Sequence, residues 1–262
     1  MCENIVLVGA GGHAKALIDV IEQENRFRIL GLIDNAKRGD VLGYKVLGRD
    51  DDLKAIFMEC KNAIVAVGQI KSAQTRILLF NKLKEIGFNL PVIVSPLAYV
   101  SKHASIGQGT AIMHYACINA GAKVGANCII NTKALIEHDA VVGDNCHIST
   151  ASVINGDVIV GDNTFFGSNA TSKNGVIIEP SSLIPMASIV KSIGGGVALK
   201  SRIYTFEFFK LIFFVIEFFK TYTYLIQFEF FKTEFFGLNF LDLNSKKFKT
   251  FAFKNAEFFK QF

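Results

Sequence analysis

From Val94 to Val190 one residue in six is apolar without a change of phase, and this periodicity limits the fold more than any other feature of the chain. The positions are Val94, Val100, Ile106, Ile112, Ile118, Val124, Ile130, Ile136, Val142, Ile148, Ile154, Val160, Phe166, Ser172, Ile178, Ile184 and Val190; sixteen of the 17 are Val, Ile or Phe. The fourth residue after each is mostly small, as at Ala116, Ala122, Cys128, Ala134 and Ala140, and the residue directly following is often Gly or Asn. A helix repeats every 3.6 residues and a half-buried strand every two, so neither explains a period of six. Six is the period of a parallel β-helix, in which one apolar side chain per short strand points into a three-sided prism and a small residue fits each corner. Three sides close a coil of about 18 residues, and coils are stable because each pairs with its neighbours. About five and a half coils fit between Val94 and Val190. Ser172 is the break, and the TSKNG stretch at 171–175 is read as a small loop leaving the wall.

Residues 1–93 have a different texture and form a separate domain, followed by the β-helix at 94–202 and a third zone at 203–262. Asn4–Gly9 is a continuous apolar run ending in glycine, which reads as a buried parallel strand. The spacing predicts a helix over Ala14–Glu24, strands at Arg28–Asp34, Ala63–Gly68 and Leu90–Val94, and a helix over Gln74–Ile86 with a cationic outer face. Strands alternating with helices predict a small Rossmann-like parallel sheet with right-handed crossovers. Gly9-x-Gly11-x-x-Ala14 lies between strand and helix, with Asp34 about 20 residues on, close to a dinucleotide fingerprint. Backbone N–H groups at such a helix start suit phosphates. An NAD-binding protein is therefore one reading. Against it, the domain ends after four strands and runs into a β-helix. A sugar-nucleotide site built from Gly11, Gly12, His13, Asp34, Asn35 and Gly68 is preferred, and His13 is its most informative member because a tight turn does not require histidine.

The net charge of +5 is mild and no basic face appears before residue 200, so a nucleic-acid partner is not indicated. The start MCENIVLVGAGGH reads as a strand rather than a signal peptide, and the five cysteines show no zinc spacing; the expectation is a cytoplasmic protein with buried thiols and no metal. Nineteen of the 25 phenylalanines follow Arg202, in irregularly spaced EFFK segments. Three readings stand for this tail: a spurious or frame-shifted extension, an aromatic amphipathic segment touching a membrane or partner, or a cap over the last coil.

The hexapeptide array together with GAGGHAK resembles the NeuD/PglD-like sugar acetyltransferases, which belong to the left-handed β-helix acyltransferases. The resemblance covers roughly residues 3–202 and rests on G-A-G-G-H (9–13), L-I-D-N (32–35), A-V-G (66–68), I-N-T-x-A-L-I-E-H-D (130–139) and H-I-S (147–149). It implies a left-handed β-helix, a homotrimer with active sites in the grooves between subunits, acetyl-CoA along the groove, and a nucleotide sugar or sialic-acid-like substrate reaching in from the N-terminal domain. The family commonly ends in G-x-P-A-K; here Gly196-Val197-Ala198-Leu199-Lys200 lacks the proline, which weakens the expectation of coenzyme contacts there.

Acetyl transfer from a thioester needs a base for the attacking group and a donor for the oxyanion. Histidine, with an ordinary pKa of about 6.5, suits the base. His138 follows inward-pointing Ile136 by two residues, so it stands outside the prism, and Asp139 beside it can orient the ring. The resemblance makes His138 the general base, with Glu the commoner neighbour. It also implies that His147 lies beside the thioester carbonyl or the substrate, that Asn131 lies near the sugar, and that Gly156 lets the backbone pass close to the coenzyme arm. His103 and His114 lack motif support and are read as surface or groove-lining. The leading function is N-acetylation of a UDP-linked 4-amino sugar in bacterial glycan biosynthesis. O-acetylation of a sialic-acid-like sugar is the alternative within the same chemistry, and a non-catalytic β-helix scaffold is the alternative outside it.

Overall fold

The computed structural model describes residues 3–191. The 196–200 segment and the Phe/Lys-rich tail at 203–262, with the readings attached to them, lie outside the described residues. The two halves described below belong to one unit, Met1–Ser201.

The first half is a five-stranded sheet of β1 (Glu3–Val8), β2 (Phe27–Ile33), β3 (Asp40–Val41), β4 (Tyr44–Gly48) and β5 (Asn62–Val65), in the order β3-β4-β2-β1-β5. β1 is an interior strand, between and parallel to β2 and β5. Its alternate residues serve two cores, as expected of a parallel sheet covered on both faces. Ile5 and Leu7 pack with Leu17, Ile18 and Ile21 of α1 (Gly12–Glu24), and Val6 and Val8 pack with Leu53 of α2 (Leu53–Glu59) and Leu79, Phe80 and Leu83 of α3 (Gln74–Ile86). The first core also takes in Ile93, Ala111 and Met113, so the sheet domain and the first coil of the second half share one apolar interior.

Two expectations are corrected here. The run Leu90–Val94 does not join this sheet; only Ile93–Val94 is a strand, β6, and it pairs with Ala111–Ile112 as the first rung of the β-helix. The sheet gains instead the β3–β4 hairpin, which the sequence did not reveal because its two-residue turn is Leu42–Gly43, not an Asn-Gly pair, although both residues have the positive φ that such turns need.

The second half is a left-handed parallel β-helix of seventeen two-residue strands, β6 through β22 (Ile189–Val190), arranged in three sheets of six, five and six strands. The stack of inward residues predicted from the period is buried from Ile112 through Val190. Every sixth residue from Gly109 to Ala187 has φ between 53° and 78°. This corner conformation explains the abundance of Gly, Asn and Asp there, since these tolerate the left-handed region best. Ser172 keeps phase: it is buried, and its hydroxyl accepts the Asn155 N–H at 2.9 Å. No loop leaves the wall at 171–175, because β20 (Ile177–Ile178) follows β19 (Thr171–Ser172) at the usual six-residue step. Among the described residues no helix is long and apolar enough to cross a membrane.

Candidate active site

Ile136 ends β13 (Leu135–Ile136) with its side chain fully buried, and the chain then turns a corner through Glu137, His138 and Asp139. Asp139 is the left-handed corner residue, φ 60°. Glu137 is anchored along the stack, its carboxylate accepting Asn119 Nδ2–H at 2.9 Å and the His138 backbone N–H at 3.2 Å. The His138 side chain stands outward, 62% exposed, with Nδ1 3.0 Å from Asp139 Oδ2. The shorter Asp therefore reaches the ring. With Nδ1–H donating to the carboxylate, Nε2 keeps its lone pair. The bond to Asp139 raises the His138 pKa; desolvation opposes it, and the charges of Asp139, Glu137 and Asp157 add to the rise.

Two glycines make room for this pair. A Cβ at Gly156, one coil on, would stand 2.8 Å from His138 Nε2 and 2.9 Å from Cε1. A Cβ at Gly121, one coil back, would stand 2.3 Å from Asp139 Oδ1. His138, Asp139 and Gly156 thus form one assembly, with Asn174 and Asp157 beside it. The sequence singled out the first three and missed the others, which lie in neighbouring coils and share only the 18-residue register.

A second assembly forms where the two halves meet. His147, on β15 (His147–Ile148), is 8% exposed. Its Nδ1 lies 2.6 Å from the Gln69 carbonyl oxygen and its Nε2 3.0 Å from Asn131 Nδ2. Nδ1 therefore donates and Nε2 accepts, which defines a neutral tautomer. Burial pushes its pKa down to about 4, with Arg76 adding to the effect against the bond to Gln69. The Phe165 ring meets it edge to face at 5.2 Å. His13, in the first turn of α1, is half-buried; its Nε2 is enclosed without a hydrogen-bond partner. Burial, then Arg76 and His147, push its pKa down to about 3. Gly68 lies against it, 3.6 Å from a Cβ at 68 to His13 Cβ. The structure thus brings His147 and Asn131 together with the His13–Gly68 end of the sheet domain. Within one chain His138 stands apart from them, because β13 and β15 belong to different sides of the prism.

Gly11 and Gly12 are exposed at the start of α1, and Gly11 caps it without a side chain. Asp34 and Asn35 carry loop-building bonds. Asp34 accepts the N–H groups of Ala10, Ala36 and Lys37 at 2.8, 2.9 and 2.8 Å. Burial alone raises its pKa, but these donors outweigh it and hold the carboxyl below the ordinary range. Asn35 bonds Asp50 with both ends of its amide, at 2.8 and 3.1 Å.

One sequence reading is corrected at the joint. Arg76 does not belong to a cationic outer face of α3; it is 1% exposed and bonds backbone carbonyls. The signal was its place one turn before Leu79 and Phe80 on the apolar stripe. His114, read as surface or groove-lining, is partly buried and bonded at both ring nitrogens: Nδ1 lies 2.6 Å from Ser95 Oγ and Nε2 2.8 Å from Asp19 of α1, which ties helix to β-helix. Among the described residues no group of three or more His, Cys, Asp and Glu side chains could hold a metal.

Residues 4–83 match the family model of the PglD N-terminal domain, and residues 139–171 match that of the bacterial transferase hexapeptide. No curated protein sequence matches the chain. Among solved structures, a histidine-to-asparagine variant of perosamine N-acetyltransferase from Caulobacter crescentus, in complex with CoA and GDP-perosamine, is 30% identical with TM-score 0.70, over 74% of this chain and 91% of that one. The acetyltransferase domain of PglB from Neisseria gonorrhoeae, in complex with acetyl coenzyme A, is 26% identical with TM-score 0.68, over 73% and 94%. WeeI from Acinetobacter baumannii, at 20% identity and TM-score 0.58 over 73% and 97%, shares the fold.

Proposed function

Since this chain belongs to the NeuD/PglD-like sugar acetyltransferases of the hexapeptide family, we propose that it moves the acetyl group of acetyl-CoA onto the amine of a nucleotide-linked 4-amino sugar, with His138 as general base. The observation that carries this reading is the His138–Asp139 bond at 3.0 Å, which leaves Nε2 free above Gly156. Acetyl-CoA supplies the electrophilic thioester carbonyl. His138 Nε2 takes the proton as the amine nitrogen bonds to that carbonyl carbon, and Asp139 stabilises the imidazolium. When the tetrahedral species collapses, the C–S bond breaks and His138 returns the proton to the departing thiolate, leaving the amide and CoA. Gly156 supplies a floor on which no side chain obstructs the coenzyme arm.

Gly11, Gly12, His13, Asp34, Asn35 and Gly68 are assigned to the nucleotide sugar. They gather at the C-terminal ends of parallel strands, where ligands of open α/β sheets bind. His147 and Asn131 are assigned to the acyl-transfer end of the same substrate path.

The outward residues of one sheet of the β-helix are Tyr99, Cys117, Leu135, Val153, Thr171 and Ile189, an apolar stripe on a surface expected to be polar. Such a stripe supports self-association. His138 follows β13 at the edge of this sheet, so packing of a second and third copy there would flank it with a groove. A homotrimer in the cytoplasm is the reading we adopt.

The test is thiol release from acetyl-CoA with a panel of UDP- and GDP-linked amino sugars and sialic acids, on wild type and His138→Ala. Release with amino sugars, lost in the variant, is expected. Release only with sialic acids would favour O-acetylation, and none with any acceptor would remove the proposal.

A further inference from the structure

Arg76 is a buried cation with no carboxylate among its hydrogen-bond partners. Its guanidinium instead gathers four carbonyl oxygens from two parts of the chain. Nη1 donates to Val65 O at 3.1 Å and Val67 O at 2.6 Å. Nη2 donates to Asn127 O at 3.1 Å and Asn127 Oδ1 at 2.8 Å. Its Nε is enclosed without a partner.

Both ends of this bridge matter for the site. Val65 ends β5, and Val67 precedes Gly68, which lies against His13. The next residue, Gln69, holds His147 Nδ1 through its carbonyl. Asn127 is a left-handed corner of the β-helix, and its own amide donates to Asn145 Oδ1 at 2.9 Å, which continues to Asn163. One guanidinium therefore spans the loop at the mouth of the sheet domain and a corner that is braced by a ladder of asparagines.

Leu79 and Leu83 lie on the same buried stripe of α3, but an apolar side chain at 76 would leave the four carbonyl oxygens without these donors. What Arg offers is direction, since its planar fork fixes the angle between the groups it joins. It also places a positive charge beneath the loop region assigned above to an anionic nucleotide.

We propose that Arg76 is a positioning residue for the nucleotide sugar: by clamping Val65–Val67 to the Asn127 corner, it holds Gly68 and His13 in register with His147. This rests on the nucleotide-sugar reading given above.

Calorimetric binding of GDP and of UDP to the full chain tests it without requiring turnover. Arg76→Lys keeps the charge but cannot make the four-carbonyl fork. It is expected to raise the nucleotide Kd on the order of tenfold, the equivalent of one charge-assisted hydrogen bond lost. Leu79→Ala loosens the same helix without touching the fork, and its nucleotide Kd should stay within about twofold of wild type. Asn127→Ala removes the Oδ1 acceptor together with the amide's bond to Asn145 but leaves the three backbone carbonyls of the fork; it should weaken binding less than Arg76→Lys, and the double variant should bind no worse than Arg76→Lys. Unchanged affinity in folded Arg76→Lys, or an equal loss in Leu79→Ala, overturns the proposal. Should Arg76→Lys not fold, unchanged affinity in Asn127→Ala does so. A wild-type chain that transfers acetyl groups yet ignores these substitutions sinks this inference alone. A wild-type chain that binds neither nucleotide sinks it together with the nucleotide-sugar reading.

Discussion

The His138 ring lies over the bare α-carbon of Gly156 in the next coil, so closely that a methyl group at 156 would stand 2.8 Å from Nε2. The ring position is therefore set by a neighbour 18 residues away as much as by Asp139. Gly156→Ala should leave the β-helix intact, since Gly156 does not occupy the left-handed region. It should tilt the imidazole and lower kcat/KM on the order of a hundredfold, the usual scale for a misplaced catalytic group. Thiol-release kinetics beside a melting curve check this; wild-type kcat/KM in a folded variant would contradict the geometry.

Asp139→Asn keeps the corner, because Asn tolerates the left-handed region, and removes the carboxylate that raises the His138 pKa. A general base works only when neutral, so activity rises as pH climbs through its pKa. In wild type the acidic limb should sit above the ordinary imidazole range. In the variant it should move to lower pH, with a lower plateau because the imidazolium has lost its partner. A pH–rate profile of kcat/KM shows the direction of the shift.

His147 gives the fold a dependence on acid. Its pKa falls from 6.5 in the unfolded chain to about 4 when buried, so the unfolded state binds its proton first. The stability this residue contributes is full above about pH 6.5 and is lost as pH falls toward 4, on the order of 3 kcal/mol in all. His13, pushed down to about 3, acts in the same direction over a slightly wider range. Urea unfolding at pH 7 and pH 4.5 should show a large loss for wild type and a smaller one for His147→Gln.

The apolar stripe on the sheet that carries Leu135 predicts a dependence of activity on assembly. Leu135→Lys puts a charge in the middle of that stripe while leaving the inward Ile136 untouched. Light scattering should show wild-type trimers and variant monomers, and the monomers should lose thiol release even with His138 and Asp139 present. A fully active monomer would remove the intersubunit groove from the mechanism.

How much of this was legible beforehand follows from the range of each interaction. The six-residue period was enough to specify the β-helix, because each coil repeats the same local requirement: an apolar residue inward, a small residue near the corner and a left-handed turn. Asp139 could be paired with His138 from adjacency alone. Ser172 looked like a break and was none, because its hydroxyl found an acceptor role for Asn155 inside the wall. Leu90–Val94 looked like a strand of the sheet domain, and β-propensity could not say which of two sheets would take it.

The sequence by itself thus determined the two-part architecture and the imidazole–carboxylate pair, since both depend on periodic or neighbouring residues. Only the tertiary structure decided that Gly156 seats His138, that Arg76 faces inward, and that His147 is locked neutral between Gln69 and Asn131. Those facts come from contacts spanning 9 to 78 residues. In such contacts burial and backbone carbonyls choose the partners, and every residue has a carbonyl, so residue type carries no mark of the choice.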